Sequence, residues 1–213
     1  MNFKFGVIPV LLSCIAITGC GEPKLECHGL KECIDSAKAV AAEMKMTDAE
    51  TRNFVKNVEK YPVIQLLNQF KDQQNQDNLN RFADFVNHKM PDEQREKIFI
   101  SAVNGKTSGE INEYVNSNKP AIEVINNLES TSRDFSVLKM MVELCRFDTG
   151  GTDCSTGLSA DPAKGQRGWN LKETFGLTVT NSVITKEIKG TGYTIKVKYS
   201  IGENDEWQVE YSY

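Results

Sequence analysis

A change of hydrophobic period most constrains what this chain of 213 residues can fold into. Up to Phe147, apolar residues recur at helical spacing. Beyond Trp169 they recur at every second residue. The first period is one face of an α-helix and the second is one face of a β-strand. Helices first and a small sheet second predict the α+β class: an N-terminal helical bundle followed by a small antiparallel β-sheet.

The helical region spans residues 34–147. Ile34, Ala37, Ala41 and Met44 share one face. Thr47-Asp48-Ala49-Glu50 has capping-box spacing, with Thr47 as N-cap and Glu50 at N3. Phe54, Val58 and Tyr61 follow on one face. Pro62 interrupts or restarts that helix before Val63, Ile64, Leu66, Leu67 and Phe70. Lys71 to Asn78 is rich in Gln, Asn and Asp and reads as a solvated helix surface or a loop. Leu79, Phe82, Phe85 and Val86 return to a helical stripe. Pro91, with Asp92 and Glu93 behind it, suits a helix start. Asn104-Gly105 suits the end of that helix. Thr107 or Ser108 is expected to cap a short helix through Ile111, Tyr114 and Val115. Pro120 opens another, and Thr131 or Ser132 is expected to cap a last one carrying Phe135, Leu138, Met141, Val142 and Cys145.

Residues 148–170 read as a loop. From 171 to 213 the alternation predicts a meander with one apolar and one wet face. Its strands contain Phe175-Leu177-Val179, Val183–Ile188, Tyr193-Ile195-Val197-Tyr199-Ile201 and Trp207-Val209-Tyr211-Tyr213. Lys189 to Gly192 and Gly202 to Asp205 supply turns. The helix over 133–147 is the expected packing surface for the sheet.

The N-terminus has a different character. Lys4 precedes an apolar run from Val7 to Ile17, which is too short to span about 30 Å of hydrocarbon. Ile17-Thr18-Gly19-Cys20 then resembles the lipobox of bacterial lipoproteins. That resemblance implies a signal peptide over 1–19, acyl chains of the palmitate type on Cys20, and cleavage just before it. Two or more chains hold a protein on a membrane stably. Gly21 stands where an Asp would resemble an inner-membrane retention signal, which implies outer-membrane sorting and a periplasm-facing protein in a Gram-negative cell. Residues 20–33 are expected to form a lipidated tether with a disulfide loop.

The net charge is −4, and without Lys4 it is one unit more negative. A mildly acidic chain without basic clusters is not expected to bind nucleic acid. Cys14 leaves with the signal and Cys20 takes the lipid, so Cys27, Cys33, Cys145 and Cys154 remain. An even number in an exported protein argues for two disulfides. Three connectivities exist; the local one, Cys27–Cys33 and Cys145–Cys154, closes the shortest loops. A metal site using Cys27, His28 and Cys33 is the rival, but no Cys-x-x-Cys pair is present.

No catalytic constellation stands out, and neither a cofactor nor a metal is expected. Gly105-Lys106-Thr107 lacks the earlier glycine of a phosphate-binding loop. Asp148-Thr149-Gly150 matches the aspartic-protease tripeptide, but it follows a helix rather than a buried strand. Asp148 and Asp153 do not have EF-hand spacing. His28 and His88 are the only histidines, and no Gly-x-Ser-x-Gly elbow accompanies them. A pair of acids for glycoside-type hydrolysis has no sequence signature.

Gly21-Glu22-Pro23 and Asn104-Gly105-Lys106-Thr107-Ser108-Gly109-Glu110-Ile111 resemble features of a group of small helical bacterial lipoproteins to which no enzyme activity is assigned. The resemblance covers residues 20 to about 117. The C-terminal pattern resembles cystatin or NTF2-like modules, in which a helix packs on a curved sheet. The first resemblance implies an envelope lipoprotein; the first reading of its function is non-enzymatic contact with a protein partner, such as an assembly factor or, for an immunity-type protein, a toxin. Trp169, Trp207, Tyr211 and Tyr213 are the candidate contact residues. A small-ligand binder with a pocket between helix and sheet, lined by Tyr193, Tyr199 and Trp207, is the alternative. A carboxylate-dependent envelope hydrolase is the third reading.

Overall fold

The structure, a computed structural model, describes residues 21–149, 178–180, 183–201 and 207–213, with side chains for 21–140, 183–200 and 207–213. Six helices precede an antiparallel sheet: α1 (Leu30–Glu43), α2 (Asp48–Gln73), α3 (Gln76–Val86), α4 (Asp92–Val103), α5 (Ser108–Ser117) and α6 (Lys119–Thr149). The strands are β1 (Thr178–Thr180), β2 (Val183–Gly190), β3 (Tyr193–Ile201) and β4 (Trp207–Ser212), paired in chain order. The α+β class, with helices first, is what the change of period predicts.

The 26 residues of α2 make it about 39 Å long, and the other five helices pack around it. Its start is set by the capping box: the Thr47 hydroxyl accepts from the Glu50 N–H, and the Glu50 carboxylate accepts from the Thr47 N–H at 2.7 Å. Phe54, Val58, Ile64, Leu67 and Phe70 are all at most 1% exposed. Buried residues also include Asn57 and Leu66, so the helix is covered on more than one side. Asn57 is tolerated there because its Nδ2 donates to Asn112 Oδ1 at 2.9 Å.

Two local expectations are corrected by packing. Pro62 does not interrupt α2; it lies inside a continuous helix and is buried against its neighbours. Thr131 and Ser132 cap nothing, because α6 runs unbroken from Lys119 to Thr149. Thr131 turns its hydroxyl back onto Asn127 O at 2.7 Å, satisfying itself within the helix. The expected tether packs on the body from Glu22 onward. Leu25 is 1% exposed, donates to Lys106 O and accepts from Gly105 N–H, both at 2.9 Å. Lys24 forms a β-bridge with Thr107.

β2 and β3 form a hairpin in which Gly190 pairs with Tyr193 across Thr191-Gly192. Gly192 has φ +82°, which suits glycine. At Gly190 a Cβ would meet the Tyr193 ring at 2.5 Å and Val124 Cγ2 at 2.7 Å, so this strand end closes directly on α6. Ile184, Ile188, Ile195, Val197 and Tyr199 are buried on the face toward the helices. Thr185, Glu187, Lys189, Lys196 and Glu210 are exposed on the other face, where Lys198 and Glu210 pair across strands at 2.9 Å. The second turn, Gly202 to Asp205, lies outside the described residues, as do Phe175 and Leu177.

Candidate binding cleft

The helices enclose a cleft of about 690 Å³ at the middle of α2. Each wall is a helical repeat: Leu30 and Ile34 from α1, Glu59, Lys60 and Val63 from α2, Asp92, Arg95, Glu96 and Phe99 from α4, Ile125 and Glu129 from α6. Phe85, Val86 and His88 come from the end of α3 and the turn after it. The floor is apolar, with Phe85, Val86, Phe99 and Ile125 all at most 7% exposed. Leu30 lies on the lip and is 43% exposed.

The rim is charged. Four carboxylates (Glu59, Asp92, Glu96 and Glu129) face two cations, Lys60 and Arg95. Arg95 is held by its own neighbours: the guanidinium sits 5.6 Å from the Phe85 ring centroid, and Nη1 lies 3.7 Å from Asp92 Oδ1. Its Nε is buried and has no hydrogen-bond partner among the described residues. Glu96 is part of the scaffold, since Oε1 accepts from the Leu30 N–H at 2.8 Å and so fixes the first turn of α1. His88 is exposed and has φ +56°, which lets the chain reverse between α3 and α4.

The residues singled out in the sequence lie elsewhere. Cys27 and Cys33 are joined in a disulfide with Cα atoms 4.5 Å apart, which takes both thiols out of any metal site. Cys145 lies in α6; Cys154, Cys20 and Trp169 lie outside the described residues, as does Asp153. Asp148 falls in the last turn of α6. Trp207 is half-buried and meets the Phe135 ring edge-on, centroids 5.3 Å apart. Tyr211 packs toward α3 and its hydroxyl accepts from Asn87 Nδ2. Among the described contact candidates, Tyr213 alone stays largely exposed, at 56%, with its ring against Phe70 at 5.5 Å.

Of the residues expected to line a pocket between helix and sheet, Tyr199 and Trp207 both pack against Phe135. Tyr199 is 2% exposed under Phe135, and Tyr193 lies under Lys71, whose Nζ is 5.9 Å from the ring. Burial pushes the Tyr193 phenol up to about 12 and raises Tyr199 as well. Tyr211 also rises to about 12 through burial, against the opposing effect of the Asn87 hydrogen bond. These phenols stay protonated and serve packing. No Asp or Glu belongs to the buried set among the described residues, so no buried acid pair forms there. No cluster of three metal-ligating side chains forms among them either, and none of their helices is long and apolar enough to cross a membrane.

The cleft was hidden in the sequence because its walls come from five separate helices. The one local sign is α4, where Asp92, Arg95, Glu96 and Phe99 mix charge and an aromatic ring on one face. Comparison with protein-family models, curated proteins and solved structures finds no match to this chain.

Proposed function

We propose that this chain is a lipid-anchored envelope protein that acts by binding, and that the helical cleft is its recognition surface for a cationic, amphipathic segment of a partner protein. The observation that carries this reading is the cleft itself: an apolar floor framed by four carboxylates and two cations. Apolar side chains of the partner would enter over Phe85 and Phe99, and basic ones would meet Glu59 and Glu129. The excess of negative charge on the rim steers encounter and selects the partner. The envelope location rests on the Ile17-Thr18-Gly19-Cys20 lipobox and the short apolar run before it. The disulfide between Cys27 and Cys33 suits an oxidising compartment.

A photo-crosslinking residue at Leu30 tests the binding surface in cells. The expected result is one reproducible crosslinked protein that disappears when Glu59 and Glu129 are both changed to Lys. A crosslink indifferent to that charge reversal would sink the reading. The cleft volume also lies in the range of small-molecule sites. A retained small molecule in native mass spectra, displaced by Val63→Trp, would favour that second reading. For the anchor, Cys20→Ala should abolish acyl labelling and leave an uncut or soluble protein.

A further inference from the structure

We propose that the folded body stands directly on the bilayer, with the end of α1 and the start of α5 against the lipid headgroups and the sheet held away from them. The inference rests on the reading that Cys20 carries the lipid.

The chain is fixed to the body almost at once after that cysteine. Glu22 accepts a hydrogen bond from the Gly109 N–H at 2.8 Å and another from the Ser108 hydroxyl, so its carboxylate occupies the free donors at the start of α5. A side chain at 109 would collide with it: a Cβ there would lie 2.6 Å from Glu22 Oε2. Glycine inside the first turn of a helix is otherwise unfavourable, and this contact accounts for it. Lys24 and Leu25 then continue the attachment through the bridge to Thr107 and the paired hydrogen bonds to Gly105 and Lys106.

Only Gly21 separates the lipid-bearing residue from Glu22. Two residue steps reach about 7 Å, which is too short for the body to swing clear of the headgroup layer. The surface around Glu22 is thereby selected. Ser108 Oγ lies 3.0 Å from Met44 Sδ, which brings in the end of α1, so Lys24, Lys45 and Lys106 all belong to this end. Glu43, Asp48 and Glu110 belong to it too, so charge does not choose the face; the covalent attachment does. α2 begins here at Asp48. Its other end, about 39 Å along the axis, meets the sheet through Phe70 against Tyr213, and next to it Gln76 at the start of α3 donates from Nε2 to Tyr211 O at 2.8 Å. The cleft at Glu59 to Val63 lies between the two levels.

Amine acetylation followed by mass spectrometry tests this on the purified, full mature protein in vesicles of phosphatidylethanolamine and phosphatidylglycerol. Lys24, Lys45 and Lys106 should react several-fold more slowly than in the unlipidated Cys20→Ala protein, while Lys189, Lys196 and Lys198 on the sheet are unchanged. A flexible Gly/Ser linker of about 12 residues inserted between Gly21 and Glu22 should restore the three slow lysines without releasing the protein. An acylated protein with uniform reactivity, or with the sheet lysines protected, overturns the stance alone. A Cys20 peptide without acyl mass overturns the anchor and the stance together.

Discussion

Phe135 on α6 lies flat against Tyr199 on β3, ring centroids 4.0 Å apart and planes 14° from parallel. Trp207 meets the same phenylalanine edge-on. This aromatic group joins the two structural halves of the chain, and each ring buries area that neither half could bury alone.

Phe135→Ala should therefore loosen the sheet before it loosens the bundle. The expected cost is about 2–3 kcal/mol, below the full-burial figure because Phe135 is only partly buried. Urea unfolding measures the loss. Amide exchange should speed up at Val197 and Tyr199 while Val58 and Leu67 keep their protection; equal acceleration in both places would contradict this division.

Tyr211→Phe removes the acceptor of Asn87 Nδ2, in a residue whose Oδ1 already has no partner among the described residues. The expected cost at pH 7 is about 1–2 kcal/mol. Its folded phenol has a raised pKa of about 12, against an ordinary value of 10.0. The stability linked to that shift is complete below pH 10 and is lost as pH rises from there through about 12. The variant should lose less stability than the native protein over that interval. Some loss persists, because Tyr193 and Tyr199 are raised too.

Glu22→Gln should weaken the N-terminal attachment by about 1 kcal/mol at neutral pH. The Ser108 hydroxyl, more than any other group, holds the Glu22 carboxyl below its ordinary value of 4.5, with the Gly109 N–H adding to it. A lowered carboxyl contributes above 4.5, and that contribution disappears as pH falls through the folded value. Native and variant proteins should thus differ in urea midpoint at pH 7 and converge in stronger acid. A constant difference down to that range would show that the carboxylate is not the clamp.

Reducing the disulfide, or replacing Cys27 and Cys33 by Ser, should cost about 2 kcal/mol, as expected for a short closed loop. Both cysteines are at most 2% exposed, so reduction should require prior opening of the segment before α1. Thiol alkylation should follow the rate of that opening. Alkylation at the rate of an exposed disulfide would refute it.

Features carried by a few adjacent residues were legible in the sequence. The box Thr47/Glu50 forms as its spacing predicts, and Thr107, one of the two expected caps, caps α5 in a box with Glu110. The alternation from Ile195 to Ser200 matches the burial of β3, with Ile195, Val197 and Tyr199 buried and the residues between them more exposed. Short spacing also identified the partner of Cys27.

Signals failed where distant packing outweighed them. Pro62 removes one helical hydrogen bond, but the buried neighbours on both sides of it keep α2 whole. Thr131 has a capping side chain, but burial at 1% exposure leaves its own helix as the partner it uses. Strand alternation does not say what covers the apolar face of the sheet. α6, α2 and α3 cover it, and Tyr199 and Tyr211 become core and support.

The sequence by itself determined where helices and strands form, because capping, period and turn chemistry act between residues a few positions apart. It also carried the close pairing of two cysteines. Only the tertiary structure decided which surfaces remain open. The cleft exists because five helices leave a gap that none of them encodes, and Glu22 is a clamp because Gly109, 87 residues later, folds beside it.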